Sequence, residues 1–170
     1  MKNPKKILIA NRGVIAIRAL RAAKELGYEV ASVYSTVDKD QKHLKLSDEA
    51  ICIGPATAKD SYMNDAAIIS AAELVGADAI YPGFGFLAEN ASFAEKCKES
   101  GFEFVGPDPK VIEVMGDKIK AKKLIESLGV PTVPGFAGKI ESKNQIENIV
   151  EQIEYPCLLY TSPSPRDTNE

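Results

Sequence analysis

Ile7-Leu8-Ile9-Ala10-Asn11-Arg12-Gly13-Val14 carries the information that decides the fold. Four consecutive apolar residues with no polar alternation are expected of a strand covered on both faces, which is how parallel sheets are buried. Asn11-Arg12-Gly13 then supplies a tight turn. From Val14 to Leu26 the apolar residues recur with helical spacing, and Gly27 follows as a C-terminal stop.

Outward from this unit the same rhythm repeats. Val30 to Tyr34 and Ala50 to Ile53 read as strands, and Ala66 to Val75 as a helix with Asn64 or Asp65 as its cap and Gly76 at its end. Ala79 to Tyr81 is a further strand, broken by Pro82-Gly83-Phe84-Gly85. A helix over about Ala91 to Ser100 and a strand at Glu103 to Val105 complete the series. Alternation of this kind predicts an α/β fold: a Rossmann-like, doubly wound parallel sheet, with ligands gathering at the C-terminal strand ends.

The rhythm changes after Gly106-Pro107. Two helices in succession, Asp108 to Met115 and Lys118 to Leu128, are separated by Gly116-Asp117. Residues 129–135 form a proline-stiffened extended segment, and Lys143 to Ile153 a last amphipathic helix. A domain boundary is therefore expected near residue 115, giving residues 1–115 and 116–156. From Cys157 onward the sequence runs into a Ser/Pro string with the composition of a frayed end. The string resembles a translated sequencing-library adapter, so residues 157–170 are expected to be non-native.

Composition excludes several classes. An apolar content of 45 % supports a packed core, and a net charge of −3 without a basic block gives no nucleic-acid surface. No apolar run reaches the roughly 20 residues of a membrane span. The start does not follow a signal-peptide pattern, so a cytoplasmic location is expected. Cys52, Cys97 and Cys157 lack metal-ligand spacing; the first two lie in apolar stretches and are expected to be buried small hydrophobes. His43 is the single histidine, which argues against a His-rich metal site, and no metal ligands are assigned.

The strand-turn-helix unit invites comparison with dinucleotide-binding motifs. Those need three glycines where the pyrophosphate approaches the helix; here Gly13 is followed by Val14 and Ile15, so bound NAD is not expected. Three other features invite a functional reading. Arg18, Arg21 and Glu25 share a polar helical stripe, which on spacing alone is a solvated face. Pro82 to Gly85 is a rigid turn at a strand's C-terminal end, equally a structural turn or a ligand wall, with Glu89 and Asn90 beside the next helix start. Lys118 stands at a helix start, where an ammonium suits phosphate, but it also belongs to a lysine-rich surface with Lys120, Lys122 and Lys123.

Four blocks in order resemble the biotin carboxylase family of the ATP-grasp superfamily. The first, Lys6 to Arg18, is similar to the opening usually written K-I-L-I-A-N-R-G-E-I-A-x-R. Asp48 to Pro55, Tyr81 to Asn90, and Phe104 to Pro107 with Met115 to Lys118 are the others; the resemblance covers residues 5 to 156. The resemblance implies a biotin carboxylase N-terminal domain over residues 1–115, then the start of an ATP-grasp domain. It implies ATP with Mg²⁺ or Mn²⁺, bicarbonate, and biotin on a carrier protein, with ATP activating bicarbonate to carboxyphosphate. Lys118 would bind ATP. Gly83, Phe84, Gly85 and Glu89 would line the biotin and bicarbonate cleft, and Arg18, Arg21 and Glu25 would meet a second copy in a homodimer. Partners implied are the biotin carboxyl carrier and a carboxyltransferase, in an acetyl-CoA, propionyl-CoA or pyruvate carboxylase system.

Departures stand at three positions. Val14 replaces the usual glutamate, and Tyr81 and Phe84 stand where family members typically show the His and Tyr of H-P-G-Y-G. They bear on substrate geometry, Phe84 by lacking a hydroxyl. The family's glycine-rich lid and second ATP-binding lysine should follow the Tyr-Pro block, yet Tyr155-Pro156 precedes Cys157-Leu158-Leu159. The metal ligands, the bicarbonate arginine and the catalytic glutamate would lie further on, so this chain alone is expected to be inactive. Other ATP-grasp enzymes, such as carbamoyl-phosphate synthetase or a purine-pathway carboxylase, and a stand-alone dimerisation module are the alternatives.

Overall fold

A computed structural model describes residues 5–133 and 142–153. They fall into two compact units, one up to Glu113 and one from Val114, each taken by itself below. The stretch 157–170 expected to be non-native, which includes Cys157, and the Pro134-Gly135 end of the extended segment lie outside the described residues.

In the first unit β1 (Lys6–Ile9) leads into α1 (Gly13–Glu25), then β2 (Glu29–Ser35), α2 (Lys42–Leu46), β3 (Glu49–Gly54), α3 (Asp65–Val75), β4 (Ala79–Tyr81), α4 (Ala91–Glu99) and β5 (Glu103–Phe104). The five strands form one parallel sheet in the order β3-β2-β1-β4-β5. α2 has no counterpart in the sequence expectation, because five residues are too few to show a helical period.

The run at 7–10 is buried on both faces, as its lack of alternation requires. Ile7 and Ile9 join Ala16, Leu20, Ala23 and Val30 on the α1 side. Leu8 and Ala10 point the other way, into a core with Ile68, Ala72, Ile80 and Phe93 from α3, β4 and α4. Phe93 meets Phe104 edge to face at 6.0 Å, so the larger core is closed by an aromatic pair at its β5 end. α3 and α4 start where Asn64 and Asn90 accept hydrogen bonds from the Ala67 and Phe93 amides, at 3.1 and 2.9 Å.

One sequence expectation fails. Cys97 is buried, and burial together with Asp65 pushes its thiol up to about 12. Cys52, however, is exposed. β3 is an edge strand, and its side chains alternate between Ile53 in the core and Cys52 toward solvent.

The described part of the second unit includes α6 (Lys118–Ser127) and α7 (Lys143–Ile153); α5 (Pro109–Gly116) spans the junction. α6 begins at Asp117, whose carboxylate accepts from the Ile119 and Lys120 amides, both at 2.9 Å. These two bonds and the lysines at 120 and 123 hold the Asp117 carboxyl below the usual range, the Lys120 amide bond foremost.

Candidate functional site

The strand order places β1 at the point where the chain's winding reverses: β2 lies on one side of it and β4 on the other. In open α/β sheets the crevice at such a reversal, beyond the C-terminal strand ends, is where ligands bind. Pro82 to Gly85 emerges from β4 at this crevice, and Asn11 and Arg12 emerge from β1 beside it. The last ladder bond joins the Ala10 amide to the Tyr81 carbonyl at 2.9 Å, after which the two segments separate.

Asn11 bridges that separation. Its side chain is buried, 1 % exposed, and its Nδ2 donates to the carbonyls of Pro82 at 2.8 Å and Phe84 at 3.1 Å. Its Oδ1 accepts from the Arg12 amide at 2.8 Å, so the whole carboxamide is committed. The turn it holds is unusual backbone: Gly83 and Gly85 have φ of 74° and 67°, and Phe86 has φ 46°, the single non-glycine with positive φ among the described residues. A Cβ on Gly83 would stand 2.8 Å from both Asn11 Nδ2 and Ile15 Cγ2, so only glycine lets the turn approach this closely. Phe84 is carried outward, 70 % exposed, and Glu89 is exposed on the turn that follows.

The strained Phe86 is held from the far side. Its ring stacks on Tyr62, with centroids 5.2 Å apart and planes 17° from parallel. The Arg12 guanidinium lies 5.2 Å from the Tyr62 ring centre and 5.7 Å from that of Phe86. Beneath it, buried Asp38 gathers Ser35 Oγ (2.7 Å), Tyr62 Oη (2.8 Å), Gln41 Nε2 (2.7 Å) and Arg12 Nη1 (3.3 Å). Burial pushes the Asp38 carboxyl up, but the bonds from Ser35, Tyr62 and Arg12 outweigh it and leave the group below its ordinary value. The Tyr62 phenol is pushed up to about 12 by burial and by Asp38, so it remains a donor.

The structure brings Gly83, Phe84, Gly85 and Glu89 together along one stretch at the crevice. Asn11, Arg12, Asp38 and Tyr62 have no place among the residues singled out from sequence. Asn11 and Arg12 were legible as the residues that end a strand at the ligand side of the sheet; Asp38 and Tyr62 carry no local signal.

Arg18, Arg21 and Glu25 lie elsewhere, on the outer face of α1, all three exposed and without an ion pair among the described residues. Their stripe is not purely polar: Val14, 79 % exposed, with Ile17 and Ala22, lines a depression together with them. Lys118, in the second unit, is exposed in the first turn of α6. Among the described residues no group of three or more His, Cys, Asp or Glu could hold a metal ion, and no helix is long and apolar enough to cross a membrane.

Comparison with known proteins places these features in a family. The description "Biotin carboxylase, N-terminal domain" matches residues 3–112, and "Carbamoyl-phosphate synthase L chain, ATP binding domain" matches residues 117–164. A biotin carboxylase of Haemophilus influenzae is 53 % identical over 160 residues, covering 92 % of this chain and 35 % of that protein. The 2-oxoglutarate carboxylase small subunit of Hydrogenobacter thermophilus is 47 % identical over 158 residues, covering 93 % of this chain and 33 % of its own length. Among solved structures, a Campylobacter jejuni biotin carboxylase in complex with a β,γ-ATP ligand superposes with TM-score 0.86 at 47 % identity, over 91 % of this chain and 34 % of that one. The H. thermophilus biotin carboxylase domain dimer, complexed with MgADP, ADP and bicarbonate, gives TM-score 0.84 at 46 % identity, over 92 % and 34 %. The chain spans about a third of the length of the relatives it matches.

Proposed function

The chain belongs to the biotin carboxylase N-terminal domain family, and on that premise we propose that the whole protein uses ATP and bicarbonate to carboxylate biotin borne on a carrier protein. The observation that carries this is the Pro82–Gly85 turn, pinned by Asn11 at the crevice where the sheet's winding reverses. In this proposal Gly83, Phe84, Gly85 and Glu89 form one wall of the cleft that receives biotin and bicarbonate. The turn is held by Asn11 and by the stack of Phe86 on Tyr62, contacts that would lower the ordering cost of binding. Phe84 offers an apolar ring but no hydroxyl, so the wall orients substrate by shape.

Residues 1–115 serve as the cleft-bearing domain and residues 116–156 as the opening of the ATP-grasp domain. Lys118 is assigned to ATP. The helix start that follows Asp117 and the exposed ammonium both favour phosphate oxygens. Phosphoryl transfer from ATP to bicarbonate would give ADP and carboxyphosphate, whose breakdown releases CO2 and phosphate; the biotin ureido nitrogen then gives its proton to that phosphate and forms its bond to the CO2 carbon. Such transfer needs a divalent cation to neutralise charge on the phosphates, and the described residues offer no cluster to hold one. With one cleft wall and one phosphate-binding lysine, the 170-residue chain by itself is expected to be inactive.

The mixed face of α1, with Arg18, Arg21 and Glu25 around Val14, is assigned to contact with a second copy. The biotin carboxyl carrier and a carboxyltransferase are the partners the proposal requires, and the cytoplasm is the compartment it assumes. The test is a chimera in which residues 3–156 replace the corresponding part of the H. influenzae biotin carboxylase. Biotin-dependent ATP hydrolysis is expected, with Lys118→Gln raising the KM for ATP roughly tenfold or more. A folded chimera without turnover, or a Lys118→Gln form with unchanged ATP kinetics, would count against the assignment.

A further inference from the structure

Resting on that function, we propose that Asn11 is a positioning residue of the reaction: it sets the Pro82–Gly85 turn in the conformation that presents Phe84 to biotin. Three residues of the four from Gly83 to Phe86 have left-handed φ, a combination that free peptide backbone does not hold. It persists because it is fixed at both ends. Phe86 is clamped by its stack on Tyr62 under Arg12, and the Pro82 and Phe84 carbonyls are held by the two hydrogens of one buried amide.

Nothing else among the described residues does the second job. The Phe84 side chain is exposed and cannot anchor itself, and Gly83 has no side chain. Without Asn11 Nδ2, two carbonyls at the crevice lose their donor, and the glycines on either side of Phe84 permit the turn to swing. Because the Asn11 amide faces the carbonyls from within the protein, it touches no substrate; it acts through Phe84. Arg12 and Asp38 support the turn's other end, so the division of labour is specific. Asn11 governs residues 82–84, and the aromatic clamp governs residue 86.

Two variants test this in the same chimera. Asn11→Asp keeps the shape but puts a carboxylate oxygen against two carbonyls; Asn11→Ser removes the reach and disturbs the core less. Both are expected to raise the KM for free biotin roughly tenfold or more, while the KM for ATP moves less than about twofold. Asn11→Asp should recover partly as the pH is lowered, since the protonated carboxyl regains one donor; Asn11→Ser should not. A crystal structure of the Asn11→Ser form gives a readout independent of turnover: the Pro82 and Phe84 carbonyls should leave their places and Phe84 should be displaced, with β1 and β4 unchanged. An unchanged turn there would overturn the proposal, whatever the activity. So would a displaced turn with an unchanged biotin KM, or equal losses toward biotin and ATP. An unmutated chimera that folds but lacks biotin-dependent turnover would instead overturn the proposed function, and the structure of the variant would still decide whether Asn11 sets the turn.

Discussion

Arg12 and Asp38 meet at 3.3 Å between Nη1 and Oδ2, joining the turn after β1 to the turn after β2. The contact is one of four that converge on a single carboxylate beyond the C-terminal end of β2. Since Asp38 is buried, its worth lies less in the ion pair than in satisfying Ser35, Tyr62 and Gln41 at the same time.

Removing that carboxylate should therefore destabilise the fold. Asp38→Ala is expected to cost about 2–4 kcal/mol, read as a lower urea midpoint of the full chain. The pH dependence has a definite sign. The Asp38 carboxyl lies below its ordinary value in the folded state, so its stabilisation is complete above about pH 4 and is lost as the pH falls through the lowered value. The acid limb of the stability profile should be shallower in Asp38→Asn.

His43 should give the opposite kind of test, because its neutral form is the one the fold selects. It is fully buried on α2, with Nε2 3.4 Å from the Val33 carbonyl and no partner for Nδ1 among the described residues. Burial lowers its pKa, while the Val33 carbonyl and Asp38 oppose the shift. The unfolded chain therefore binds the proton more readily. Stability should be complete above about pH 6.5 and decline as the pH falls below it. In His43→Met that decline should be absent between about pH 6.5 and 5, whatever the offset in overall stability.

Gly83→Ala is expected to destabilise by about 2–4 kcal/mol, because the methyl would need both a left-handed φ and the space of two neighbours. Shortening one neighbour should recover part of the loss. The double variant Gly83→Ala/Ile15→Ala is expected to lose less than the sum of the two single changes, measured as coupling in a urea double-mutant cycle.

Much of this architecture was legible before any coordinates. The unbroken run Ile7 to Ala10 forced a strand buried on both faces, and Gly27 and Gly76 marked helix ends that the structure places close by, Gly76 with φ 64°. Lys143 to Ile153 matches its predicted span. What escaped was of two kinds. Cys52 sits in an apolar stretch, and only the position of β3 at the sheet edge turns it outward. Asp38 and Tyr62 are 24 residues apart, and their pairing depends on how β2 and the segment before α3 converge, which no local pattern encodes. The Pro82–Gly85 turn was visible as a turn; the amide that fixes it was not, since it lies 71 residues earlier.

That separation has a consequence for how the molecule comes into being. β1, α1 and β2 can associate from neighbouring sequence, but the carbonyls that Asn11 holds belong to residues that follow two more strands and two more helices. Until β4 docks against β1, the buried amide has nothing to grip, and the turn has no reason to hold its shape. The turn is thus expected to take its shape only once β4 has paired with β1, which is the pairing of greatest sequence separation in the sheet.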